Sequence, residues 1–91
     1  MVTAFILIRA QRDRIAQAAQ EILKVPGIAE VYSVAGDYDI VAVARVRKNE
    51  ELATLVTDDL IKVGGITATS TMIAFRQFSN FDLERMFALG E

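Results

Sequence analysis

Ninety-one residues give room for one small hydrophobic core, and 53% of them are apolar, above the about 45–50% usual for soluble domains. A net charge of −2 argues against a nucleic-acid-binding surface, which needs a basic stripe. The absence of cysteine and histidine excludes disulfides and thiolate metal sites and removes the commonest general base and metal ligand.

Val2 to Arg9 is a nearly continuous apolar run, as expected of a strand covered on both faces. From Gln11 to Lys24, the residues Ile15, Ala18, Ala19, Ile22 and Leu23 recur at amphipathic-helix spacing, and Pro26-Gly27 stops the helix. Ile28 to Ala35 and Tyr38 to Val46 read as strands joined by a tight hairpin at Gly36-Asp37. Asn49 is the expected cap of a second helix reaching about Lys62, with Leu52, Val56, Leu60 and Val63 as its buried stripe and Leu55 further round. Thr67 to Gln77 is expected as a fourth strand, and Ser79-Asn80-Phe81-Asp82 as the start of a short terminal helix through Met86 and Phe87. No run is long enough for a membrane span, and Val2 to Ile8 lacks the marks of a signal sequence. A cytoplasmic protein is expected.

Val25-Pro26-Gly27-Ile28 returns as Val63-Gly64-Gly65-Ile66, thirty-eight positions on, and Phe5 to Ile8 maps at the same offset onto Val43 to Val46. A β-α-β unit is therefore written twice. The order β-α-β-β-α-β specifies a single α+β, ferredoxin-like domain over residues 1–91, with both helices on one face of the sheet. The other face is apolar and has no cover in so short a chain, so a sheet-to-sheet homodimer is the simplest remedy. Phe78, Phe81, Met86, Phe87 and Leu89 either cross onto a neighbouring protomer or fold back onto their own sheet.

Pro-Gly-Ile before a strand, Gly36-Asp37-Tyr38-Asp39 before a long apolar strand, and Gly-Gly-Ile before Thr67-Ala68-Thr69-Ser70-Thr71 together resemble the effector-binding domain of the Lrp/AsnC transcriptional regulators, the RAM domain. The resemblance covers nearly the whole chain. It implies sheet-to-sheet dimers, rings of dimers and small effectors, usually amino acids, bound between dimers. Regulators of that family carry a helix-turn-helix domain ahead of this region. Here Met1 runs directly into the first strand, so the resemblance is to a stand-alone effector domain without direct DNA binding. A full-length regulator of the same family is then an expected partner.

Gly36, Asp37, Tyr38 and Asp39 are the first candidate ligand residues. A glycine lets backbone amides approach a carboxylate, and an aspartate accepts an ammonium group. As a packing feature the same four residues make only a turn with an aromatic plug. Thr69 and Thr71 share one strand face, with Ser70 on the other; in the resembling family, hydroxyl-bearing residues of this strand help form the effector pocket. Asp59 flanks the apolar stripe of the second helix, where it either pairs across a subunit interface, reads a cationic side chain or is solvated. Arg9, Arg12 and Arg14 cluster at the first strand–helix junction, where cations oppose the helix dipole and hint at an anionic contact, with a solvated or intersubunit role as the alternative. No catalytic constellation, cofactor or metal is implied. The leading reading is a non-enzymatic amino-acid-binding module, with two rivals open: a structural adaptor without ligand, and a small monooxygenase-type enzyme in which Tyr32 or Tyr38 borders an enclosed apolar cavity.

Overall fold

In the computed structural model, which describes residues 1–80, the strands are β1 (Val2–Ala10), β2 (Ile28–Ser33), β3 (Ile40–Val46) and β4 (Ile66–Ile73). Helix α1 (Ile15–Leu23) follows a 3-10 turn over Arg12–Arg14. Helix α2 (Asn49–Thr54) runs on through a π turn, Leu55–Asp59, and a 3-10 turn, Leu60–Lys62. All pairings are antiparallel, in the order β2-β3-β1-β4, as the ferredoxin-like reading requires. The expected terminal helix, with Phe81, Met86, Phe87 and Leu89, lies outside the described residues.

Period-two alternation selects the core. Ala4, Ile6 and Ile8 of β1 and Ile40, Ala42, Ala44 and Val46 of β3 turn one way, onto Ala18 and Ile22 of α1 and Leu52, Leu55 and Leu60 of the α2 segment. Alanines at the sheet centre let the helices approach closely. No polar or charged side chain is buried among the described residues, so this core is held by apolar packing alone.

The repeated glycines do the same work in each half. Gly27 and Gly65 have φ of +97° and +92°, and their carbonyls accept from Arg45 N–H and Gln11 N–H, each at 2.8 Å. A Cβ on Gly27 would lie 2.9 Å from Leu55 Cδ1; one on Gly65 would lie 2.8 Å from Arg14 Cβ. Both closures need the open backbone region and the missing side chain together.

Several sequence expectations are corrected. Among the described residues β1 is covered on one face only: Phe5 remains 38% exposed and Leu7 half-buried. β2 ends earlier and β3 begins later than expected, so their link is not a two-residue hairpin but the segment Val34–Asp39, closed by Val34 N–H donating to the Asp39 carbonyl at 3.0 Å. Asn49 is the first residue of α2 rather than its cap; Lys48 holds that place, and the Glu51 carboxylate accepts from Arg47 N–H at 3.2 Å. Leu55, 1% exposed, takes the place of Val56 in the buried stripe, and Val56, beside it at the start of the π turn, is half-buried. Leu23 is exposed, and β4 stops at Ile73, although Ala74 N–H still donates to the Thr3 carbonyl at 2.9 Å.

Candidate functional site

The Gly36–Asp39 turn is tied to the end of the central strand. Asp39 N–H donates to the Ile8 carbonyl at 2.9 Å, and Asp39 Oδ2 accepts from Ala10 N–H at 2.9 Å. The carboxylate thus stands in for the carbonyl that β3 would offer if the ladder continued. Gly36 has φ +124° and open space around it, so backbone can be approached there. Asp37 is exposed, and Tyr38 is half-buried with the Arg9 guanidinium 5.1 Å above its ring centroid.

β4 brings the Thr69 hydroxyl toward the same end of the sheet by another route, with Thr71 at the level of the strand centre. Thr69 pairs with Ile8 and Thr71 with Ile6, so both threonines face the helix side; Ser70, opposite Leu7, faces the open side. Thr69 borders a groove of ≈ 400 Å³ between β4 and the π turn, with Val56, Thr57, Ile61 and Ile66 among its walls. Ile61 is 76% exposed there, unusual for a large apolar side chain beside a groove. Sequence periodicity does not assign this wall. The available signal is Thr57, whose hydroxyl donates to the Ala53 carbonyl at 2.7 Å and so competes with regular helical bonding.

The seven candidates do not close on one another within a single chain. β1 lies between the turn and the threonines, so the two groups are separated by at least two strand spacings, about 10 Å across the sheet. Asp59 lies elsewhere, in a groove of ≈ 440 Å³ with Pro26, Gly27, Arg47 and Glu51 at the opposite end of the sheet. Arg14 lays its stem along Gly64 and Gly65, which accounts for it as packing.

The open sheet face carries Phe5, Leu7, Val41, Val43 and Met72, bordered by a polar clasp. Tyr32, on the same face, donates its hydroxyl to Glu30, and Arg45 pairs with the same carboxylate at 3.2 Å. The Tyr32 hydrogen bond first, and Arg45 second, hold the Glu30 carboxyl below its ordinary range; the shared bond with Glu30 pushes the Tyr32 phenol up. Tyr32 therefore has its hydroxyl committed to a neighbour.

Comparison with known proteins places the chain in a family and agrees with its fold. Residues 3–82 match the family model described as the Lrp/AsnC ligand binding domain. An uncharacterized HTH-type transcriptional regulator of Pyrococcus abyssi is 40% identical over 76 residues, 80% of this chain and 51% of the regulator. The chain thus spans about half the length of that relative. The crystal structure of TTHA0845 from Thermus thermophilus superposes with a TM-score of 0.82 at 41% identity, over 88% of this chain and 100% of that one. The feast or famine regulatory protein from M. tuberculosis, complexed with L-methionine, shares the fold at 23% identity and a TM-score of 0.72, over 88% of this chain and 54% of its own.

Proposed function

We infer the function of this chain from its family, for it belongs to the Lrp/AsnC ligand-binding domains. The proposed function is that of a non-catalytic regulatory module that binds an amino-acid effector and couples it to assembly. Family membership carries the reading; the L-methionine held by a protein of the same fold supports the ligand class. The effector contacts are Gly36, Asp37, Tyr38, Asp39, Thr69, Ser70 and Thr71. Because the turn and the hydroxyls of one chain stand at least about 10 Å apart across the sheet, a neighbouring protomer completes the pocket.

Assembly begins at the open face, where half-exposed Phe5 and Met72 lie side by side and a second sheet would remove them from water. Dimers joined into a ring then place the turns of one dimer against another. An effector that binds only the assembled form stabilises it by mass action. The module acts in the cytoplasm, through a partner such as a full-length regulator of the same family. Among the described residues no helix is long and apolar enough to cross a membrane.

Thermal melting against the twenty amino acids at millimolar concentration tests this. An effector at about ten times its Kd contributes about 1.4 kcal/mol, which for a domain of this size raises Tm by about 5–10 °C. One or two amino acids are expected to respond, with Asp37→Ala and Thr71→Val abolishing the response. A flat panel sinks the reading in favour of a ligand-free structural module.

A further inference from the structure

Arg9 lies among three local constraints. The β1–β4 register shifts between Arg9 and Ala10, a bulge that leaves Thr67 as the extra residue of β4. Bulges redirect the side chains next to them. The Thr67 hydroxyl donates to the Arg9 carbonyl at 3.2 Å, and the next amide, Ala10 N–H, is held by Asp39 Oδ2 at 2.9 Å. The Arg9 guanidinium then sits 5.1 Å from the Tyr38 ring centroid, inside the candidate turn. Main chain and side chain are both positioned.

A guanidinium over an aromatic ring spends its flat face and leaves its in-plane N–H fork unspent. Among the described residues the one ion pair is Arg45–Glu30, so Arg9 and Asp39 do not neutralise each other. Asp39 commits Oδ2 to Ala10 and has a second oxygen to offer. The end of β1 and the turn beside it therefore present a cationic fork and a carboxylate oxygen that do not pair with each other. That is the charge pattern complementary to a zwitterion.

We propose that Arg9 reads the α-carboxylate of the amino-acid effector, with Asp39 receiving its ammonium group and Tyr38 fixing the guanidinium plane. This rests on the reading of the Gly36–Asp39 turn as an effector site, and adds a residue outside that turn as its selector for acids over neutral carbonyl compounds. Arg9 contributes two parallel bonds to a carboxylate of opposite charge and at most one, to a neutral oxygen, to an amide.

The test uses isothermal titration of the full chain with each of the twenty amino acids, and then with the α-amide of each one that binds. Wild type is expected to prefer acid to amide. Arg9→Gln is expected to collapse that preference by about 10- to 100-fold, while amide affinity stays within about threefold of wild type. The unchanged amide serves as the folding control. If Arg9→Gln keeps the acid preference, or weakens acid and amide equally, Arg9 is a packing residue and this inference is wrong, although the site stands provided Asp37→Ala still weakens binding. If no amino acid binds, or Asp37→Ala has no effect on one that does, the site reading falls and takes the inference with it.

Discussion

Asp39 holds the end of β1 in place before any ligand arrives. Its Oδ2 pairs the Ala10 amide at 2.9 Å, a partly buried donor for which β3 supplies no carbonyl. Asp39→Ala removes that acceptor and is expected to cost about 1–3 kcal/mol in urea unfolding of the ligand-free protein. Asp39→Asn keeps an acceptor oxygen and is expected to stay within about 1 kcal/mol of wild type. Equal, negligible losses in both would show that water replaces the carboxylate. The same residue can serve the fold and the proposed effector site because a carboxylate has two oxygens, and the backbone takes one.

At the scale of elements, the segment after Asn49 departs furthest from regularity. Leu52, Leu55 and Leu60 reach the core at i, i+3 and i+8, while Val56, at i+4, stays half-buried. The π turn, Leu55–Asp59, interrupts the regular ladder there, and the Thr54 and Thr57 hydroxyls donate to the Glu50 and Ala53 carbonyls at 3.2 and 2.7 Å. Leu55→Ala is therefore expected to cost about 2–5 kcal/mol by chemical denaturation, and the partly exposed Val56→Ala only about 1 kcal/mol. The reverse order would restore the regular helix that periodicity suggests. Strand identity, strand faces and the two glycine closures were legible because period-two alternation and positive-φ glycines are local signals. The Val34–Asp39 link was not: Gly36-Asp37 has the composition of a short hairpin, and only the capture of Ala10 by Asp39 makes it longer. The paired threonine face was readable from alternation in β4, whereas the meeting of Arg9 with Tyr38 needs the β1–β3 register, which no window of sequence contains.

For the whole molecule, the unmatched quantity is apolar area. Phe5 and Met72 are neighbours across β1 and β4, 38% and 50% exposed, and neither has a role in the protomer core. Phe5→Lys with Met72→Lys is expected to leave the circular dichroism spectrum intact while light scattering falls to the mass of one chain, 10.0 kDa. A wild type already at that mass, or a variant that keeps the wild-type mass, would overturn the sheet-to-sheet dimer. The strand order has a consequence of a different kind. β1 and β2 come from the first half of the duplicated sequence, yet β3 stands between them; β3 and β4 come from the second, yet β1 stands between them. Among the described strands neither half contains a pair of hydrogen-bonded neighbours, so neither is a smaller version of the fold. Each is half of an interleaved sheet, and a chain cut at the exposed Asp37 would consist of two fragments, each finding its strand partners only in the other.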